Sequence, residues 1–343
     1  MTGVGGVRAS LFLTNQQRPG TEQVAALEGQ LRLYREARDS GWDGVFVGQH
    51  HLSEDLTQLQ PAPFLGRLAA EAGHMVLGVG ISLLSLHNPV DIAETYASLD
   101  IICGGRFIFG VGLGYRGVEH RAFGIDPALK VERFERNLEI VLALWSGEPV
   151  TCDLPWCRLD EQRLLLVPHQ RPRPPLWMAA NADGAVRRAA RLADAWMINP
   201  HATRATVERQ IGLFQEERVA AGKAPAPAEM PVMREVFCAP SREQALELAS
   251  PYLESKYQVY AKWGQDKVLP GNDSFAVPFE ELSDDRFVLG TPDDCIAALL
   301  PWREKFGAYH FVIRTDWAGM PPDISTASVR LLASEVLPVL RAS

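Results

Sequence analysis

Eight short apolar runs alternate with stretches of helical periodicity, and that alternation constrains the fold more than any other feature of the chain. The runs span residues 8–13, 44–47, 75–84, 106–111, 175–179, 195–198, 231–238 and 309–314. Helical patterns occupy 21–40, 62–72, 89–102, 127–145, 184–192, 203–221, 242–260, 291–306 and 324–340. In the first of these, Val24, Leu27, Leu31 and Tyr34 recur at three- and four-residue steps and share one helix face. Gly41 ends that helix, and Pro89 opens another at a first-turn position that needs no amide donor. Strands joined by crossover helices lie parallel. Eight such units predict an α/β fold, a (β/α)8 TIM barrel. An open doubly wound sheet is the other arrangement of the same units.

Two stretches interrupt the repeat as insertions after the fourth and seventh barrel helices. Residues 148–174 are rich in Pro and Arg, and residues 263–285 are polar, with Pro270-Gly271-Asn272-Asp273 near the middle. Loops of this length are usually functional, so both are expected to be lid segments of one domain spanning 1–343. The net charge of −8 lacks the basic footprint of a nucleic-acid binder. Residues 1–7 are small and glycine-rich, without the basic and apolar parts of a signal peptide. No apolar run is long enough to span a membrane. A cytoplasmic location is expected. The five cysteines are scattered and read as buried or loop thiols, although Cys152 and Cys157 are close enough to meet.

In a βα-repeat fold the strand carboxyl ends carry the chemistry. His50-His51 follows the second run directly, and histidine transfers protons near neutral pH. Successive side chains of extended backbone point opposite ways, so His50 is assigned inward and His51 to bracing the loop. No compact His and carboxylate set nearby suggests a metal. Gly80-Ile81, where the third strand leaves the core, reads as a bulge or a close approach. The glycine-rich run 104–114, followed by Tyr115, is a weak dinucleotide fingerprint, because no long helix follows at once. As a fourth barrel strand it lets a flat ring or a chain turn approach at Gly112 and Gly114.

The run 174–184 ends a strand in small residues and starts a helix immediately. The amides of Ala182, Asp183, Gly184 and Ala185 would form a phosphate site, with Asn181 beside them. The Asp183 carboxylate would repel a phosphate and is expected to face away. Phe12, Trp196, Arg314 and Trp317 fall on or just after strands and are candidate substrate contacts. His87, His120, His201 and His310 read as structural, His201 least securely because it follows the sixth strand.

With these residues in view, the chain resembles the bacterial luciferase-like, flavin-dependent monooxygenases from Leu11 to about Leu340. The resemblance rests on Gly48-Gln49-His50-His51, His87-Asn88-Pro89-Val90, residues 105–112 and residues 175–184. It implies reduced FMN at the strand ends, supplied by a separate flavin reductase, and O2 as co-substrate for a monooxygenase reaction. It implies a cis peptide at Gly80-Ile81 behind the flavin ring, a proton-transfer role for His50 and a phosphate grip over 181–185. It also implies a homodimer. Bacterial luciferase holds the phosphate with an arginine where this chain has Leu113, and Arg116 is the nearest cation to take that part. The lids and strand-end aromatics suggest a small apolar or aromatic substrate. A deazaflavin-dependent hydride transfer and a catalytically silent flavin-binding subunit are the competing readings of the same residues.

Overall fold

The computed structural model describes residues 6–226, 230–271 and 274–342. Residues 1–5, and Asn272 and Asp273 of the second insertion, lie outside the described residues. Nine parallel strands make one curled sheet: β1 (Arg8–Leu13), β2 (Gly44–Val47), β3 (Val76–Leu83), β4 (Phe107–Gly112), β5 (Leu176–Ala179), β6 (Ala195–Met197), β7 (Pro231–Cys238), β8 (Phe287–Gly290) and β9 (His310–Arg314). Their order is β6-β5-β4-β3-β2-β1-β9-β7-β8. A single parallel bridge, Ile198 to Val232, joins the end of β6 to β7, so the curl meets its own other side. Ile198 N–H donates to Pro231 O at 2.9 Å and Met233 N–H to Ile198 O at 2.8 Å. β8 pairs with β7 outside this curl and is absent from the periodic reading.

The period-two alternation of each strand divides the core in two. Phe12, Phe46, Ile108, Trp177, Ala195, Met197, Met233 and Val312 fill the inside of the curl. Their neighbours Leu11, Leu13, Val45, Val47, Phe107, Phe109 and Trp196 join the larger core beneath the helices. These helices are α1 (Gln23–Asp39), α2 (Pro61–Ala69), α3 (Pro89–Ile102), a short α4 (Gly117–Ala122), α5 (Lys130–Trp145), α6 (Asp183–Leu192), α7 (Arg204–Ala220), α8 (Arg242–Lys262), α9 (Pro292–Phe306) and α10 (Pro322–Leu331). The pattern over 127–145 thus resolves into α5 alone, with α4 before it. None of the helices is long and apolar enough, among the described residues, to cross a membrane.

The first insertion departs from the lid expectation. It contains an antiparallel hairpin, Val150–Leu154 with Cys157–Gln162, whose turn residue Trp156 donates from Nε1 to Asn137 of α5 at 2.9 Å. Arg133 lies 4.9 Å over the Trp156 ring, and Gln170 N–H donates to Asp100 of α3 at 2.8 Å. Its apolar and amide groups find partners on the outer helices, and none of its residues lines the strand-end cavity. The second insertion reaches the strand-end cavity through Gln265, Lys267, Val268 and Leu269. All five cysteines are buried free thiols.

Candidate active site

A cavity of about 420 Å3 lies where the strands end. Its walls come from Thr14 after β1, His50 after β2, Ile81 and Leu83 of β3, Tyr115 after β4, Ala180 to Ala182 after β5 and Arg314 at the end of β9. That volume suits a site for a cofactor or a small ligand, typically about 300–1,000 Å3.

His50 is held by a network that begins with amide side chains. Gln58 Nε2 donates to Gly48 O at 2.9 Å, Gln60 Nε2 donates to His50 O at 3.0 Å, and Leu83 N–H donates to Gln49 Oε1 at 2.8 Å. The ring of His50 lies edge-on to Tyr115, Tyr260 and Trp263. Its Nδ1 is 3.3 Å from Glu119 Oε1. The same oxygen accepts from His51 N–H at 2.9 Å and from Arg116 Nη1 at 3.2 Å. Burial alone would raise the Glu119 pKa, but these donors and the Arg116 charge outweigh it and hold the carboxyl below its usual range. An ionised carboxylate only accepts. Nδ1 of His50 therefore carries the proton toward Glu119, and in the neutral ring Nε2 is left as the acceptor. Glu119 was not singled out from sequence, because it lies 69 residues from His50 on a short helix without strong periodicity.

His51 braces the loop through its backbone, as expected: its N–H bonds Glu119 and its carbonyl accepts from Arg116 Nη1 at 2.6 Å. Its ring packs with His87 and Phe123, and burial lowers its pKa despite the nearby Glu119. Arg116 also donates to Leu52 O and stacks 4.2 Å over Trp263, and it is not among the residues lining the cavity.

The Gly80-Ile81 peptide is cis, and the register of β3 against β4 shifts between Val79 and Ser82. Gly80 and Ile81 both line the cavity. Gly112 does not. A Cβ at Gly112 would lie 1.8 Å from Ile81 Cδ1, so its missing side chain admits Ile81 rather than a ligand ring. Tyr115 lines the cavity with its hydroxyl buried and unpartnered, and burial raises its pKa well above the usual value.

At the β5–α6 junction the N-cap is Ala182, which has no side-chain oxygen to cap the helix. Asn181, Ala182 and Ala185 line the cavity. Ala185 N–H already donates to Ala182 O at 2.9 Å, so that amide is unavailable; Asp183 and Gly184 remain as first-turn donors. The Asp183 side chain faces away, bound by both terminal nitrogens of Arg209 at 2.7 and 2.8 Å. That pairing, against a smaller opposing effect of burial, lowers its pKa to about 2. Neither Asp183 nor Gly184 is among the residues lining the cavity, although their neighbours Ala182 and Ala185 are. Lys130 and Lys267 do line the cavity, and neither stood out in sequence.

Among the candidate substrate contacts, Phe12 and Arg314 line the cavity. Trp196 does not: Ala195 and Met197 face inward, so the residue between them faces the helices, where Nε1 donates to Ala180 O at 3.1 Å. Trp317 is also turned away, its Nε1 donating to Glu235 Oε2 at 2.7 Å and its ring near Phe237. His201, assigned a structural role, proves to be a cavity wall residue. Its Nδ1 is 3.3 Å from Tyr257 Oη, and burial, reinforced by Lys256 and Arg314, keeps its pKa well below the usual value.

A curled parallel α/β sheet with a histidine-bearing, cofactor-sized cavity at its strand ends is the frame of these observations. Residues 7–310 match the luciferase-like monooxygenases, and the chain belongs to that family. The oxygenase component of the flavin-dependent trigonelline monooxygenase of Acinetobacter baylyi is 25% identical over 346 residues, covering 94% of each chain. The oxygenating constituent of 3,6-diketocamphane monooxygenase from Pseudomonas putida, solved in complex with FMN, superposes with TM-score 0.82 at 18% identity, over 97% of this chain and 98% of that one. An F420-dependent secondary alcohol dehydrogenase superposes with TM-score 0.80 at 19% identity, over 98% and 99%.

Proposed function

We propose that this chain is the oxygenase of a two-component system, a (β/α)8 barrel that takes reduced FMN from a separate reductase and uses O2 to oxygenate a small, largely apolar or aromatic molecule. The single observation that carries the reading is the pairing, in one cavity, of the Glu119-oriented His50 ring with the uncapped start of α6. The trigonelline relative, named as an oxygenase component, supports the two-component part. The residues fit a flavin mononucleotide. The amides of Asp183 and Gly184 would hold the phosphate, the Gly80–Ile81 bulge would back the ring, and the buried Tyr115 hydroxyl offers an unused hydrogen bond.

Reduced flavin, when bound, supplies the electrons that activate O2. The chain's own residues do the rest. Glu119 fixes the His50 tautomer, so that Nε2 takes or returns a proton at the reacting group. Gln49, Gln58 and Gln60 keep the His50 backbone from shifting. Phe12, Ile81, Leu83 and Leu269 give apolar walls, and residues 265–269 of the second insertion close one side against water.

The test pairs anaerobic titration of the protein with photoreduced FMN and with the reduced deazaflavin coenzyme, followed by product analysis under labelled O2. Tight binding of FMN and label in the product are the expected results. Hydride transfer from the deazaflavin without label would favour the alternative that the dehydrogenase likeness suggests. Turnover unchanged in His50→Ala would remove its proposed role, whereas flavin binding by the unaltered protein with no turnover of any substrate would leave a silent flavin-binding subunit as the better description.

A further inference from the structure

The cavity ends on a buried charge cluster that the flavin reading leaves unused. Arg314 is 5% exposed and lines the cavity. Its guanidinium lies 4.3 Å over the Phe12 ring. Two of its nitrogens, Nε and Nη1, are buried and donate to nothing. The nearest carboxylate oxygen, Glu235 Oε1, is 3.6 Å from Nη1, beyond hydrogen-bond distance. That carboxylate is already satisfied: Oε1 accepts from Lys256 Nζ and Oε2 from Trp317 Nε1. One carboxylate thus serves both a lysine and an arginine, and burial, reinforced by Arg314, lowers the Lys256 pKa to about 7, so Arg314 is the permanent cation of the pair. Asp316, the next acid along the chain, accepts from Thr14 N–H and Gln30, and its burial raises its pKa toward the neutral form. His201 stands on the same side and, being driven to its neutral form, adds no charge.

A guanidinium buried with unused donors is costly unless something arrives to take them. Lys256 faces Glu235, whereas Arg314 opens on the cavity, so its unused donors are presented to whatever enters. The walls beside it are Phe12, Met197 and Met233, all apolar. We propose that the substrate is an organic anion: an apolar or aromatic body lying along Phe12, Met197 and Met233, with one carboxylate-type oxygen group received by Arg314. This rests on the cavity being the reaction site and narrows the substrate class of that site. It also gives a role to a permanent cation buried beside the apolar side chains of Phe12, Met197 and Met233.

The test uses 1-naphthoate and its neutral counterpart 1-naphthamide as probes, titrated calorimetrically into the intact protein. Naphthoate is expected to bind about tenfold or more tightly than naphthamide, the difference expected of a charge-assisted bond to a buried cation. The preference should vanish in Arg314→Gln and survive in part in Arg314→Lys. Equal binding of the two probes by the unaltered protein would overturn the proposal, as would a preference that persists in a folded Arg314→Gln. Should Arg314→Gln fail to fold, the unaltered protein and Arg314→Lys decide alone. Reduced FMN and reduced riboflavin are titrated in parallel. If Arg314→Gln abolishes discrimination between those two, Arg314 holds the cofactor phosphate and the substrate proposal fails. If FMN does not bind at all but the naphthoate preference stands, the flavin assignment fails while the anion site remains.

Discussion

Replacing Glu119 by Gln isolates the element on which the His50 assignment depends. Glutamine keeps the shape and still offers one carbonyl oxygen, but it removes the charge and adds an NH2 that can donate. In the native protein Oε1 accepts from His50 Nδ1 at 3.3 Å, His51 N–H at 2.9 Å and Arg116 Nη1 at 3.2 Å. A hydrogen bond to a charged group contributes about 1.5–3 kcal/mol, against roughly 1 kcal/mol for a neutral one. The His50 bond is long and counts least, so two bonds weaken appreciably, and Glu119→Gln should lose roughly 1–3 kcal/mol of unfolding free energy. Glu119→Ala leaves the 5%-exposed Arg116 without its carboxylate and should lose more, about 3–5 kcal/mol. Urea denaturation measures both. The tautomer is read by long-range 15N–1H correlation on 15N-histidine-labelled protein, with His50→Asn to assign the signal. The native ring should show a pyrrole-like Nδ1 and a pyridine-like Nε2, and Glu119→Gln should mix the two forms. A native His50 with its proton on Nε2, or a Glu119→Gln spectrum identical to the native one, would refute the reasoning.

Other perturbations have equally definite outcomes. Gly110→Ala places a Cβ 2.1 Å from the backbone oxygen of Val79, which no rotamer can relieve, and should cost at least about 1–3 kcal/mol in urea melts; Gly112→Ala, which meets the mobile tip of Ile81, should cost less. Trp196→Phe strands the buried carbonyl of Ala180 and should lose about 1–3 kcal/mol, with no change in naphthoate affinity. Burial, aided by His51, lowers the His87 pKa from its ordinary 6.5 to about 4. The unfolded chain therefore binds the extra proton between those values, and stability should fall as pH drops through that window and level off below it. The slope this one group adds is at most about 1.4 kcal/mol per pH unit, and His87→Gln should flatten the curve by that share.

The strands were legible because each is a short, mostly apolar run set between stretches of helical periodicity. Residues 231–238 and 89–102 agree with β7 and α3 to the residue. β8 was not, since Phe287–Gly290 follows a polar insertion in which the helix before it, Phe279–Ser283, is only five residues long and shows no helical periodicity in sequence. Site residues carried on the strand-end segments, such as His50, Asn181 and Arg314, could be read because the repeat fixes where strands end. Trp196 and Trp317 were misplaced for a different reason. Position in the chain marks a strand end, but only parity against inward-facing Ala195 and Met197, or a partner such as Glu235, decides which way a ring turns. Glu119 lies on the short α4, Lys130 at the first position of α5 and Lys267 in the second insertion, and tertiary packing alone brings Glu119 to His50 and the two lysines to the cavity wall. Arg116 shows the converse: a cation near the right place in the chain bonds His51, Leu52 and Glu119 and stacks on Trp263, outside the cavity wall.

A crystal structure of the protein grown with FMN is the most direct test of the account. The ring should rest against Gly80-Ile81 with His50 Nε2 turned toward it, and the phosphate should accept from the amides of Asp183 and Gly184. FMN bound elsewhere, or a phosphate seated on Arg314 with the start of α6 empty, would contradict it.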